Sequence, residues 1–481
     1  MIAVWSECVP EELKEFKDSR ITVAFEGSVQ HEAGQVAATV AAVKSLVGDR
    51  RLRGVIVGCE TGVLLGDELS EALAPVYGVR TNGTALSQLR RNKWLQTEAV
   101  RDAGLGACTQ YLANSDADVE RVLNAWPAGA LFKAVVKPVV GAGSDGVTIC
   151  NSKEEVRAAF RKLDGTKNVL GLTTYEVLIQ EYLLGEEYVV DTVTRDGVHK
   201  CVAIWKYDKR TYNGSPVVYY GMRLLDIDAE PELRRMVEYT TKVLGVLGIR
   251  DGAMHTEIKL ETRGPILIEV NCRLHGGEGT WAPMAEAAIG YSAVSVLLDA
   301  TLDAAAFEKI PMAPSGFKAA AREAKLRSPV EGLLKSINRT TLQKIRSLPS
   351  YRSEMLTVEA GKPIAKTIDA VSACGNINLV HRKVAQLDKD YSTLHQLVET
   401  DLFELEPEIV DNVTPSTFSL ASFLHQSPPT SPTARAFRAL QPSPPTTPAL
   451  GKPNGVAPRK KVVIKAGRGK GANGNNTMNG K

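Results

Sequence analysis

The sequence predicts a protein of mixed α/β and α+β class: a small parallel α/β domain, a larger α+β domain, a small C-terminal α+β domain and a disordered tail. Strand and helix patterns alternate in residues 1–85, as in parallel α/β domains. Asp196-Gly197 and Arg263-Gly264 instead mark tight turns of antiparallel hairpins. From residue 407 the composition shifts to Pro, Ser, Gly and Lys. A chain of 481 residues has room for roughly two to four domains.

Composition is that of a soluble globular protein, with 44% hydrophobic and 23% charged residues. No apolar run reaches membrane-spanning length, and the N-terminus lacks the basic and apolar regions of a signal peptide. The seven Cys residues are scattered singly, which predicts no disulfide framework and a reducing, cytoplasmic location. Ten Lys and Arg residues and no acidic residue follow Asp411, so the total charge of +3 leaves the folded part mildly acidic. That balance disfavours nucleic acid as a partner.

The N-terminal elements are predicted from short apolar runs. Residues 2–5 and 54–58 are expected to be buried strands, and segments 9–17 and 33–47 are expected to be the helices between them. The alternation predicts a small parallel α/β domain. A further helix is predicted over 84–104, since Gly104 provides its C-terminal stop.

From residue 130 the pattern changes to strands joined by hairpins. Ser152, with Glu155 three residues later, is a good N-cap for the helix after the first hairpin. Residues 207–221 predict a long loop. Residues 315–406 predict a separate α+β region with a last helix near 390–402. The other elements are strands over 131–140, 146–150, 177–183 and 186–206, and helices over 230–248 and 280–304.

Residues 252–278 carry the most informative pattern, a symmetric β-hairpin that turns at Arg263-Gly264. Because side chains alternate across paired strands, this register places Glu257 opposite Glu269 and His255 opposite Asn271. The other face is apolar and predicts core, with Met254, Ile258, Leu260, Ile266, Ile268, Val270 and Cys272.

Two carboxylates placed opposite each other repel, so the hairpin indicates a cation between them. Glu and Asn oxygens are hard ligands of the kind that Mg²⁺ or Mn²⁺ prefers. The alternative is a solvated strand face on which Lys259 and Arg273 neutralise the glutamates. A slip of one residue in register would also separate the pair.

A glycine-rich hairpin precedes this region. Gly141, Gly143 and Gly146 match the spacing of a dinucleotide fingerprint, but a strand follows them where that fingerprint requires a helix. Such hairpins can fold their backbone N–H groups, and Ser144 with them, over phosphates, and Lys137 lies just before the loop as a point charge. The alternative is a plain turn.

The segment 180–188, QEYLLGEEY, could hold an adenosine. Backbone groups near Glu181 and Tyr182 could contact the adenine edge, and a carboxylate such as Glu187 could hold the ribose hydroxyls. The alternative is a set of exposed strand glutamates.

The order of these motifs resembles the ATP-grasp superfamily: Lys93, Lys137 with its Gly-rich hairpin, QEYLLGEEY, IWKYDKR, and then HTEIKL and IEVNCRLHGG. Within it the chain is most similar to carboxylate–amine ligases, the L-amino-acid (dipeptide) ligases and their relatives. The resemblance covers residues 1–406. Relatives usually open with one more β–α unit, so the chain is expected to begin at what corresponds to their second strand.

The resemblance implies four segments. A partial Rossmann-like domain spans 1–85, and an ATP-grasp domain spans 86–305, with two α+β subdomains that clasp ATP and a lid over about 112–190. A C-terminal α+β domain spans 306–406. The tail, 407–481, is predicted to be disordered because it has too few apolar residues to offset its ordering entropy.

The resemblance also implies the roles of site residues. Lys93 and Lys137 would contact phosphates, the loop from Gly141 to Gly146 would close over them, and Glu257, Glu269 and Asn271 would hold two Mg²⁺ or Mn²⁺ ions. Glu181 and Tyr182 would line the adenine pocket, Glu187 would bind the ribose, and Arg273 would stabilise the acyl-phosphate. Lys206 and Arg210 would approach substrate and phosphate. The amino-acid pocket would be shaped by His255, His275, Gly276 and Trp281.

The function so implied is ATP-dependent ligation of a carboxylate and an amine, both small molecules, through an acyl-phosphate. One alternative is another ATP-grasp ligase or carboxylase, and another is a non-catalytic ATP-binding scaffold acting through its Pro-rich tail. The Ser-Pro and Thr-Pro sites of that tail could be phosphorylated or bind a reader of Pro motifs. The sequence leaves the substrates and the oligomeric state open, a homodimer included, and predicts no membrane partner.

Overall fold

The computed structural model describes residues 1–7, 25–127, 132–141, 143–168 and 171–407, apart from the side chain of Glu278. The described part lies within one compact unit, Met1–Glu408. The predicted helix at 9–17 and the tail from 408 lie outside the described residues.

The N-terminal region contains a parallel pair of strands, β1 (Ile2–Trp5) and β2 (Gly27–Gln30), followed by helices α1 (Val36–Val47) and α2 (Val63–Tyr77). The prediction of a strand at 54–58 is wrong: the segment forms no ladder among the described residues, and Ile56 is 44% exposed. Its valines still pack, Val55 against the N-terminal core and Val57 against the central one. Burial of these apolar side chains therefore does not require sheet pairing here.

The predicted helix at 84–104 is shorter in the structure, where α3 spans Lys93–Asp102. The preceding residues form turns, because buried Arg90 donates to the Asp67 carboxylate at 3.0 Å and to the Gly83 carbonyl. Asn92 then caps the helix by accepting a hydrogen bond from the Leu95 N–H at 3.1 Å.

Next comes a four-stranded antiparallel sheet in the order β3-β6-β4-β5. Two helices pack on it around a core that includes Val136 and Phe160. The elements are β3 (Gln110–Ala113), α4 (Asp116–Ala125), β4 (Ala134–Pro138), β5 (Thr148–Cys150), α5 (Lys153–Leu163) and β6 (Val177–Glu181).

The central element is an eight-stranded sheet. Its strands, in spatial order, are β11 (Gly264–Asn271), β10 (Gly252–Glu261), β7 (Glu186–Arg195), β8 (Val198–Tyr212), β9 (Ser215–Leu224), β12 (Ala320–Leu326), β16 (Gly375–His381) and β14 (Tyr351–Leu356). Helix α6 (Pro231–Val246) packs on one face, and α7 (Ala282–Ala288) and α8 (Ala293–Leu302) pack on the other. Helix α9 (Ala304–Lys309) follows α8.

Two predictions in this region are wrong. Residues 207–221 are not a loop, because β8 and β9 continue through them as a long hairpin that turns at Asn213-Gly214. The predicted helix at 280–304 is divided into α7 and α8, which meet at 88°. No single helix of the described residues is long and apolar enough to cross a membrane; α7 and α8 pass that test only as a bent pair, and both contribute to the protein core.

The C-terminal strands extend the central sheet instead of forming the separate region that the sequence suggests. Strand β12 pairs with β9, and a Cβ at Gly221 would lie 1.9 Å from the Glu323 carbonyl oxygen, so this close approach requires glycine. The remaining elements are β13 (Gly332–Ile337), α10 (Arg339–Arg346), β15 (Pro363–Ile364), α11 (Val384–Asp401) and β17 (Phe403–Leu405). A three-stranded sheet has the order β15-β13-β17.

Candidate active site

A cleft of about 770 Å³ lies between the four-stranded sheet and the central sheet. Both sheets contribute charged side chains to it, and the Gly-rich loop forms part of its wall. The predicted site residues that line it are Lys93, Lys137, Gly141, Gly143, Ser144, Gly146, Glu181, Tyr182, Glu187, Glu257 and Glu269. The fold thus brings together residues that lie far apart in the sequence.

The predicted register of the carboxylate hairpin is confirmed at its centre, where Glu257 pairs with Glu269 and His255 pairs with Asn271. A β-bulge then shifts the register, so that Ile258 pairs with Leu267. The prediction that Ile268 belongs to the core is wrong, because the bulge places it on the cleft wall beside Glu269.

Both carboxylates are ionised. Burial raises the pKa of Glu257, but the hydrogen bond from His255 Nε2 at 3.3 Å and the charge of Lys209 outweigh it and leave the pKa at about 2. Burial and Glu257 raise the pKa of Glu269, but Lys93, with its Nζ 2.5 Å from Glu269 Oε2, lowers it on balance. The repulsion is therefore compensated by Lys93 and His255.

The donor set fits a divalent cation. The two opposed carboxylates and the side-chain amide oxygen of Asn271 are hard oxygen ligands in type. The Asn271 amide lies beside the pair, since its Nδ2 donates to Glu269 Oε1 at 3.2 Å. The sequence alternative paired Glu269 with Lys259 or Arg273, whereas its ion pair in the structure is with Lys93. Metal binding stays a prediction.

Two lysines and the Gly-rich loop form one side of the cleft. Lys93 begins α3 and donates from Nζ to the Gly141 carbonyl at 3.1 Å. Lys137 is buried, which lowers its pKa, while the charge of Glu269 acts in the opposite direction. Ser144 has a φ of 63° and Gly146 a φ of 70°, so the loop turns through backbone conformations that favour glycine.

The other end of the cleft contains the predicted adenosine residues. The Glu181 carboxylate accepts from the Thr109 N–H at 2.7 Å and pairs with Arg263 at 2.5 Å. Its side chain is therefore engaged, and the backbone N–H groups of Glu181 and Tyr182 donate to the Thr109 carbonyl at 2.9 Å and the Lys133 carbonyl at 3.3 Å, so their contact with adenine stays a prediction. Lys133 Nζ lies 3.8 Å from the centroid of the Tyr182 ring.

Lys206 and Arg210 are not among the residues that line the cleft. Lys206 Nζ pairs with Glu186 at 3.3 Å, and Arg210 pairs with Asp208 at 2.7 Å. Lys209 enters the cleft instead, where it pairs with Glu187. Burial lowers the pKa of Lys209, but Glu187 and other anions raise it on balance, so it stays charged. The sequence analysis did not identify Lys209, because a bulge between Asp208 and Lys209 determines the direction of its side chain and simple strand alternation does not predict it.

Arg273 lies near the N-terminal region, outside the lining of the main cleft. Its Nε is 3.0 Å from Glu60 Oε2, and Arg91 NH1 is 2.7 Å from Glu60 Oε1. Glu60 is buried and orients Arg273 from a distant part of the sequence, so the hairpin pattern gave no sign of it.

The two predicted histidines meet at Asp191, a residue that the sequence analysis did not single out. His255 Nδ1 is 3.0 Å from Asp191 Oδ1, and His275 Nδ1 is 3.0 Å from Oδ2, which also accepts from Trp205 Nε1 at 2.8 Å. Burial lowers the pKa of His255, but its hydrogen bonds to Asp191 and Glu257 raise it to about 9. An isolated carboxylate in the apolar run YVVDTV was the signal that could have identified Asp191.

The ligand atoms of Asp191, His255 and His275 lie within 4.8 Å of one another, a spacing compatible with a metal ion. Hydrogen bonds from the two rings and from Trp205 already account for their arrangement. Burial lowers the pKa of His275, which favours its neutral form.

Gly276 and Trp281 belong to the segment that leaves the hairpin. Trp281 Nε1 donates to the carbonyls of Gly276 at 2.8 Å and His275 at 3.2 Å, and its ring is buried in the core. This contact folds the segment back on itself beside the two histidines.

This fold is the ATP-grasp fold. Residues 131–281 match the family model described as ATP-grasp domain. The L-amino acid ligase from Bacillus licheniformis has a similar structure, with a TM-score of 0.63 and 18% sequence identity over 80% of this chain and 88% of that one. The ATP-grasp fold predicted from the sequence is confirmed.

Among characterised relatives, the chain is 34% identical to dapdiamide A synthase from Enterobacter agglomerans, over 53% of this chain and 58% of that protein. It is 26% identical to alanine–anticapsin ligase from Bacillus subtilis (strain 168), over 46% of this chain and 49% of that protein. The chain thus spans about half the length of these two relatives.

Proposed function

We propose that the protein is an ATP-dependent ligase that joins a carboxylate, an amino acid, to an amine and releases ADP and phosphate. The observation that carries this proposal is the pair of ionised carboxylates, Glu257 and Glu269, opposed on the wall of a cleft that also contains Lys93 and Lys137. The names of the two relatives above, a synthase and a ligase, support the same chemistry.

In the first step, an oxygen of the substrate carboxylate attacks the γ-phosphorus of ATP. The bond from that phosphorus to the bridging oxygen breaks, and ADP leaves with the electron pair. Both reactants are anions, so Lys93 and Lys137 bind the phosphates and screen their charge, and Lys209 adds a third buried cation. Mg²⁺ or Mn²⁺, proposed as two ions held by Glu257, Glu269 and Asn271, would supply further charge neutralisation there.

In the second step, the amine nitrogen attacks the acyl carbon, phosphate leaves, and the nitrogen loses a proton. Arg273, which Glu60 holds outside the lining of the main cleft in this structure, would have to approach it to provide positive charge for the acyl-phosphate and for the tetrahedral intermediate. The acyl-phosphate hydrolyses readily in water, so the loop Gly141–Gly146 is proposed to close over it.

The test is ADP release by the purified chain with Mg-ATP and single or paired amino acids, with products identified by mass spectrometry. The proposal requires ADP release that depends on an amino acid, together with an amide product. The variant Lys137→Ala serves as the matched control for contaminating ATPases and should lose the activity. Nucleotide binding without turnover across the whole panel would contradict this proposal and leave the two alternatives, another ATP-grasp ligase or carboxylase and a non-catalytic scaffold.

We also propose a cytoplasmic location and no role for the tail in turnover. Residues 412–481 lie outside the described residues, and this proposal rests on their composition, which is rich in Pro, Ser and Lys and poor in apolar side chains. A chain truncated at 411 should keep its turnover and its melting temperature. Loss of most of the activity would contradict this proposal.

A further inference from the structure

The segment 273–281, here called the substrate loop, joins the carboxylate hairpin to α7 and contains three of the four predicted substrate residues, His275, Gly276 and Trp281. It is rich in glycine, and Gly277 and Gly279 have φ values of 70° and 71°. Glycine has more backbone freedom than any other residue, so a loop of this composition needs external contacts to keep one conformation.

One such contact lies near the beginning of the substrate loop, where His275 Nδ1 hydrogen-bonds to Asp191 at 3.0 Å. Asp191 belongs to β7 and is nearly fully buried, so it is a rigid partner. Trp281 Nε1 holds the carbonyls of His275 and Gly276, so the conformation of residues 277–279 depends on how the far end of the loop is fixed.

Thr280 fixes that far end through three side chains of the C-terminal region. Its hydroxyl lies within donating distance of both Glu323 Oε2, at 3.0 Å, and the Gly277 carbonyl, at 2.9 Å, and it accepts from Asn376 Nδ2 at 3.0 Å. Its carbonyl accepts from Asn378 Nδ2 at 2.7 Å. Glu323 belongs to β12, and the two asparagines belong to β16.

The burial of these polar side chains makes them unusual. Glu323 and Asn376 are 1% exposed and Asn378 is 2% exposed. Burying a carboxylate or an amide destabilises a fold unless hydrogen bonds compensate for the lost hydration, and Oδ1 of both asparagines has no hydrogen-bond partner among the described residues. Lys325 Nζ, 2.9 Å from Glu323 Oε1, balances the charge.

Apolar residues at these strand positions would avoid the free-energy loss of burying polar groups, as Ala321 does on the same strand. The contacts that compensate Glu323, Asn376 and Asn378 are made largely to Thr280, so holding this residue explains why they are polar. Strands of the C-terminal region thus reach the loop beside the reaction centre.

We propose that Thr280, Glu323, Asn376 and Asn378 are positioning residues that hold the substrate loop in the conformation that binds the amino acid. With His275 fixed at one end and Thr280 at the other, the glycines between them have few conformations left, and the loop is preformed. This inference rests on the proposed ligase function. It adds that amino-acid affinity depends on these four residues, whereas nucleotide affinity does not.

The test compares two nearly isosteric changes at Thr280. Thr280→Val removes the hydroxyl that bonds Glu323 and Asn376, whereas Thr280→Ser keeps it. Thr280→Val should raise the KM for the amino acid by roughly 10- to 100-fold, since small misplacements at a reaction centre have effects of this size. The KM for ATP should change by less than about twofold, because the nucleotide cleft lies elsewhere on the sheet. Thr280→Ser should behave like the wild type.

Ser353→Ala is the control for the C-terminal strands themselves. Ser353 Oγ accepts from Asn378 Nδ2 at 3.0 Å, so the change disturbs the same asparagine without touching Thr280. Its KM values should match the wild type. Asn378→Ala should resemble Thr280→Val, and circular dichroism would verify that each variant folds.

A second measurement does not depend on turnover. Amide hydrogen exchange of peptides covering 274–281 should be faster in Thr280→Val than in Thr280→Ser. Equal exchange, or equal KM values for the amino acid in the two variants, would overturn the positioning role. Absence of turnover in the wild type with every amino acid would instead contradict the proposed function, and the exchange comparison would still decide whether Thr280 anchors the loop.

Discussion

Replacement of Glu269 by Gln tests the central charge arrangement of the cleft. The change removes one charge with almost no change in volume. If the two facing carboxylates were the only charges involved, the substitution would relieve their repulsion and leave the metal-free protein as stable as before. The structure reverses this expectation, because Glu269 Oε2 lies 2.5 Å from Lys93 Nζ.

Two opposed effects determine how much Glu269→Gln changes the free energy of unfolding. Removing one partner of a buried ion pair destabilises a protein by about 3–5 kcal/mol, and relief of a like-charge cross-strand pair returns about 0.2–1 kcal/mol. The Lys93 and Glu269 side chains are 12% and 15% exposed and border an open cleft, so water weakens both effects. We therefore expect Glu269→Gln to lower the free energy of unfolding by about 2 kcal/mol in the absence of metal.

Urea unfolding without metal measures this change, and a double-mutant cycle with Lys93→Met assigns it. If the two side chains interact, the double variant should lose less than the sum of the single variants, with a coupling of about 1–3 kcal/mol. Full additivity would refute the ion pair.

Turnover of the same variant tests the metal site. Loss of one such electrostatic group should lower kcat by about 10²–10³-fold, and a higher Mg²⁺ concentration should recover part of the loss. A fully active Glu269→Gln variant with unchanged Mg²⁺ dependence would refute the assignment of Glu269 as a metal ligand.

Three further predictions follow from single features of the structure. Lys209→Met should weaken ATP binding at least about 10-fold because its cation lies in the cleft, whereas Lys206→Met, its matched control, should change binding less than about twofold by titration calorimetry. Hydrogen exchange of peptides covering 138–148 should slow when Mg-ATP binds, and unchanged exchange would argue against loop closure. Burial, followed by the charge of Arg327, lowers the pKa of His395 to about 3, so stability is fully present above about pH 6.5 and falls as the pH drops toward 3. His395→Gln should flatten that fall, measured by urea unfolding, and an unchanged slope would contradict the shift.

Sequence patterns predicted those parts of the site that depend on local periodicity. The opposition of Glu257 and Glu269 follows from strand alternation and one turn, and it is present in the structure. The bulge that moves Ile268 to the cleft could not be predicted, since it leaves no mark on the alternation of apolar residues. The same limit made 207–221 look like a loop, because its polar and aromatic residues concealed a strand pair.

The partners that neutralise the charges were beyond sequence reasoning for a different reason. Sequence patterns offered Lys259 and Arg273 as neighbours of the carboxylates, because both lie on the same hairpin. Lys93, from α3, fulfils that role, and Arg273 pairs with Glu60 of the N-terminal region. Ion pairs depend on which helices and loops pack over a strand, and hydrophobic contacts elsewhere in the fold determine that packing. A carboxylate pair in a sequence therefore indicates that a cation is needed, and only the fold identifies the lysine that neutralises the pair in this structure.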